Sequence, residues 1–142
     1  MLFRDRNDPD ESLELDIVNY ETDPGDERNW LVLRGTWRRD GAVTKGSVPC
    51  LLTYELRELT AGLKVLNAGI KNTYESDFAS PFFSLSAVDL GEDRFGLGVY
   101  FLFPDAMDGD DTAELACELD KPSMRALIDE LDRLCARFPD RV

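Results

Sequence analysis

Every second residue from Phe95 to Phe103 is large and apolar: Phe95, Leu97, Val99, Phe101 and Phe103. Successive side chains of an extended chain point to opposite faces, so this period of two specifies a strand with one buried face. Gly96 and Gly98 fall on the other face. Two glycines there predict that another backbone or a bulky ring packs closely against them. Phe82 to Val88 precedes this strand across Gly91-Glu92-Asp93-Arg94, which predicts a hairpin, and Thr112 to Leu119 follows with Ala113, Leu115, Cys117 and Leu119 on one side.

The first part of the chain shows the same rhythm. Leu13, Leu15 and Ile17 alternate with Glu14 and Asp16. Asn29 to Arg38 forms a second strand, Asp40-Gly41 supplies the positive φ angles of a tight turn, and Ala42 to Val48 pairs back. Two segments break the period. Leu52, Leu56, Leu59, Leu63 and Leu66 step by four and three, one stripe of a helix with Thr53 as its cap, Glu55 in its first turn and Gly69 closing it. A second helix begins at Ser123, buries Met124, Leu127, Ile128, Leu131, Leu134, Cys135 and Phe138, and stops at Pro139; Asp129 and Arg133 are spaced to pair on its outer side. These elements predict an α+β fold: an antiparallel sheet of about six strands with two amphipathic helices on one face. A length of 142 residues without a linker or repeat fits a single domain over 1–142, with 1–11 as a flexible acidic segment.

Charge narrows the function classes. Asp and Glu number 29 against 16 Lys and Arg, a formal charge of −13 that argues against general affinity for nucleic acid. The excess sits in two places. Residues 1–28 carry ten acids against Arg4, Arg6 and Arg28, and residues 104–120 carry seven acids and no base; the rest nets +1. Such segments serve as a solvated surface or as a patch that recruits a basic partner. The patch reading singles out Asp105, Asp108, Asp110 and Asp111 with Asp23, Asp26 and Glu27 as partner-binding residues.

The chain lacks histidine, which removes the commonest general base and the usual partner of a serine or cysteine nucleophile. Cys50, Cys117 and Cys135 are far apart and odd in number, so they read as reduced core thiols rather than as a disulfide framework or zinc site. The 105–111 loop does not follow the calcium-loop register, and Gly96 and Gly98 open no helix. Neither a catalytic residue, nor a metal, nor a cofactor is therefore expected. Without an apolar leader or a membrane-length run, the expected compartment is the cytoplasm. Three function classes follow: an interaction protein, a small intracellular ligand-binding or regulatory domain, and a hydrolase working with two carboxylates.

The order of segments resembles the WapI-type immunity proteins. The resembling stretches are Asn29-Trp30-Leu31-Val32-Leu33-Arg34-Gly35, then Pro49-Cys50-Leu51-Leu52-Thr53-Tyr54-Glu55-Leu56 entering the first helix, and Ser80-Pro81-Phe82-Phe83-Ser84-Leu85 opening a strand. Gly98-Val99-Tyr100-Phe101-Leu102-Phe103 and the closing Arg137-Phe138-Pro139 complete the series. The resemblance implies a non-catalytic cytoplasmic bacterial protein, a monomer or weak dimer, whose partner is a cognate protein toxin with a basic surface. It transfers no contact residues.

Overall fold

The computed structural model describes residues 1–22, 25, 27–104 and 111–141. It has ten elements: β1 (Leu2–Arg4), β2 (Ser12–Tyr20), β3 (Trp30–Arg39), β4 (Ala42–Leu52), α1 (Thr53–Asn67), β5 (Thr73–Glu75), β6 (Phe83–Gly91), β7 (Arg94–Leu102), β8 (Thr112–Asp120) and α2 (Lys121–Arg137). The strands form two four-stranded antiparallel sheets, β1-β2-β3-β4 (sheet A) and β5-β6-β7-β8 (sheet B). Two sheets replace the expected single sheet of about six strands. The extra strands, β1 and β5, each have three residues, too few to show a period.

Each sheet turns one face inward, and one continuous apolar cluster joins both sheets and both helices. Leu13, Leu15, Leu31, Leu33 and Trp37 come from sheet A, and Phe83, Leu85, Phe95, Leu97, Val99, Phe101 and Phe103 from sheet B. The leucine stripe of α1 and the Met124, Leu127, Ile128 and Leu131 stripe of α2 complete it. α1 packs on α2, β4, β5 and β6, and α2 on β7 and β8. Between the sheets the rings of Phe101 and Phe103 lie on the backbone of Gly35 and Gly46, residues that face each other across β3 and β4. Side chains at these two positions would fill the space the rings occupy. The expected contact of rings on glycines thus exists, but its glycines are in sheet A; Gly96 and Gly98 face outward.

The turns follow their sequence. Asp40 and Gly41 both take positive φ, and Gly69, at φ 75°, ends α1 by donating its N–H to the Leu66 carbonyl at 3.1 Å. Both helix starts differ from expectation. Leu52 occupies the cap position of α1, where the Glu55 carboxylate reaches back to accept the Leu52 N–H, while the Thr53 hydroxyl donates to Asp140. α2 begins at Lys121 because the Asp120 carboxylate accepts the Ser123 N–H at 2.9 Å and so caps the helix two residues earlier. On α2 the ion pairs among the described residues are Glu130 with the Met1 ammonium and Asp132 with Lys64, both at 2.8 Å, and Lys121 with Asp93 at 3.9 Å; Asp129 and Arg133 are not paired there.

Part of residues 1–11 is paired and buried. Met1 and Phe3 are buried, β1 pairs with β2, and the Met1 ammonium donates to the Leu15 carbonyl and to Glu130.

Gly62 supplies a test of packing against propensity. An alanine in mid-helix normally gains about 1 kcal/mol over glycine, but a Cβ at Gly62 would stand 2.3 Å from the Tyr74 ring. Gly62→Ala is therefore expected to destabilise the protein by about 1–3 kcal/mol. Chemical denaturation checks it, and a rise in stability would show that the ring moves aside freely.

Candidate interaction surface

Of the seven acids singled out from the sequence, Asp23, Asp26, Asp105, Asp108 and Asp110 lie outside the described residues. The other two stand apart. Glu27 accepts the Asn29 N–H at 3.0 Å, just ahead of β3, whereas Asp111 lies 3.8 Å from the Arg39 guanidinium at the far end of that strand. Nine residue steps separate Trp30 from Arg39, ~30 Å of extended chain. The two acidic stretches do not converge through Glu27.

They converge through residues 5–11. The Asp5 carboxylate accepts the N–H groups of Asn7 and Asp8 at 3.1 Å and that of Ala116 on β8 at 3.0 Å. The Arg6 N–H donates to the Ala116 carbonyl at 2.8 Å, so this turn is stapled to the outer edge of sheet B. At its other end Glu11 accepts the Trp37 indole N–H at 3.0 Å. Trp37 lies between the stacked Phe103 ring and the Arg39 guanidinium, 3.5 Å from its centroid, and Arg39 faces Asp111. Asp8, Asp10, Glu11 and Asp111 therefore belong to one end of the molecule. Counting acids along the sequence located both segments, but the Asp5 carboxylate that brings the turn to β8 gives no sequence signal of its own.

The outer faces of the two sheets differ in charge and shape. On sheet A, the alternation that buries Leu31 and Leu33 turns Arg34 and Arg38 outward, and the register adds Arg4 and Lys45. Against these four cations the same face carries Glu14 and Asp16, the latter 3.7 Å from Arg34. Sheet B is concave outside. Two cavities of about 480 and 390 Å³ share Ser86, Gly98 and Ala116 and so form one depression across β6, β7 and β8. Asp5, Glu75 and Glu114 stand around it with Arg6 as the cation among its lining residues.

Burial pushes the Cys50 thiol up from 9.0 to about 12 and the Cys117 thiol to about 11, with Glu55 and Asp5 respectively adding to the effect. A nucleophilic cysteine needs the opposite shift. No group of three or more acidic or cysteine side chains among the described residues is arranged to hold a metal ion. No helix is long and apolar enough to cross a membrane among those residues. Comparison with known families gives a match to the one described as the immunity protein WapI-like family over residues 1–139. No curated protein and no solved structure matches the chain.

Proposed function

The chain belongs to the immunity protein WapI-like family, and from this premise we propose that it neutralises one cognate toxin in the cytoplasm by binding and covering it, with no chemistry of its own. The match over residues 1–139 carries this reading. The net charge of −13 supports a partner with a basic surface, such as the cleft of a nuclease, whose substrate's electrostatic place the acidic protein would take. Attraction of that kind acts mainly on the rate of encounter and weakens with salt, because the screening length is ~8 Å at physiological ionic strength. The primary test is co-purification with the toxin domain encoded beside the gene, together with protection of the toxin's target.

The acidic end provides a second prediction. Converting Asp108, Asp110 and Asp111 to lysine changes the charge of this stretch by six. The association rate with the toxin domain is expected to fall by about tenfold or more at low salt, with the difference shrinking as salt is added. Stopped-flow or surface-plasmon kinetics over a salt series measure it. An unchanged rate and salt slope would remove this end from the encounter surface.

A further inference from the structure

We propose that the concave outer face of sheet B is the seat for a cationic, extended segment of the toxin. The inference rests on the immunity reading above and adds where on this chain the contact is made.

The first support is shape. β7 is an interior strand of sheet B, yet two of its outward residues are glycines: Gly98, between Ser86 and Ala116, and Gly96, between Val88 and Glu118. The neighbouring outward positions, Ser84, Ser86 and Ala116, are also short, so the sheet's own backbone forms the floor of the joined 480 and 390 Å³ cavities. Tyr100 stands at one end, and Val88 and Leu90, 38% and 49% exposed, stand at the other. A sheet floor with raised ends accepts an extended chain with alternating side chains better than it accepts a second flat sheet. The strand pairing itself favours glycine at both positions: a Cβ at Gly98 would come within 2.8 Å of the Ser86 hydroxyl, and one at Gly96 within 3.2 Å of Val88.

The second support is charge. Glu75 on β5, Glu114 on β8 and Asp5 in the stapled turn place carboxylates on both sides of the depression, and Arg6 is the opposing charge. The opposite pole of the molecule, the outer face of sheet A, carries Arg4, Arg34, Arg38 and Lys45. A lysine- or arginine-bearing segment is drawn to the first face and repelled by the second. The occupant is thus cationic, apolar enough to rest on Val88, Leu90 and Tyr100, and narrow enough to enter a depression one or two strands wide.

The test compares three variants of the full chain for binding to the toxin domain encoded beside the gene. Ala116→Trp fills the depression from an exposed position. Glu75→Lys combined with Glu114→Lys reverses the rim without adding bulk, and serves as the second route if the tryptophan variant does not fold by circular dichroism. Arg38→Glu alters the opposite face. The expected result is a dissociation constant raised at least tenfold by Ala116→Trp and by the double reversal, the latter effect fading at high salt, with Arg38→Glu binding at least as tightly as the parent. Parent-like binding by both groove variants overturns the proposal, as does weakening confined to Arg38→Glu, which would put the toxin on sheet A. If the parent protein itself forms no complex, the immunity reading fails rather than the location of the contact.

Discussion

Replacing Phe101 with alanine is expected to lower stability by about 3–5 kcal/mol. Phe101 is fully buried, sits edge-on to Phe103 at 4.9 Å between ring centroids, and reaches across the core to the backbone of Gly35. Its ring neighbour Phe103 is held in a stack with Trp37, so the space is expected to remain as a cavity between the sheets. Domains of this size are held by only about 5–15 kcal/mol, and the loss is a large share of that. Urea denaturation reads it as a lowered midpoint at constant slope. The matching change, Gly35→Ala, places a Cβ 2.8 Å from the same ring. It is expected to cost less in the Phe101→Ala background than in the parent, because the two residues share one contact. Additive costs would mean that the ring and the glycine do not meet.

The second large effect is expected at Glu55. Its carboxylate is buried at the start of α1, 4% exposed, and accepts the Leu52 N–H at 3.0 Å and the Ala79 N–H at 2.7 Å. It therefore joins the end of β4, the first turn of α1 and the loop that leads into β6. Glu55→Ala leaves the buried Leu52 N–H without a partner away from water, a penalty of roughly 1–3 kcal/mol, takes the part-buried bond from the Ala79 N–H, and removes a negative charge from the positive end of the helix. A total loss of about 2–4 kcal/mol is expected, with Glu55→Gln intermediate because an amide oxygen can keep one donor but its NH₂ group cannot accept from the other. Hydrogen exchange at Leu52 and Ala79 separates this cause from a general loss of packing. Unchanged protection at both amides would refute it.

The strands and helices that the period reveals are those long enough to have one. The alternation through Leu13, Leu15 and Ile17, the Phe95 to Phe103 series and the five-leucine stripe each bury the side they were expected to bury. Pairing was less legible. Periodicity states which side of a strand is apolar and is silent on its neighbours, so nothing in the residues told that β4 would close one sheet and that β5 would open a second. The glycines show the same boundary. Gly96 and Gly98 stood out because they share a strand, whereas Gly35 and Gly46, which receive the rings, meet only through the register of β3 with β4. At the acidic surface, composition identified charged stretches, but adjacency depends on the Asp5 carboxylate and Ala116, 111 residues apart. That is why Asp8, Asp10 and Glu11 join Asp111 and Glu27 does not.

The division of the chain has a kinetic consequence. Sheet A uses residues 2–52 and sheet B residues 73–120, and within each sheet neighbouring strands are consecutive in the sequence, so every ladder closes a comparatively small loop. Contacts that enclose most of the chain include the hold of residues 5–6 on Ala116, the seating of α2 against Met1, and the bonds of Tyr20, Arg28 and Asn29 to Pro139 and Arg141. Because chain entropy opposes distant closure most, the two halves are expected to gain structure early and separately, with the joining of first and last segments as the final committed step.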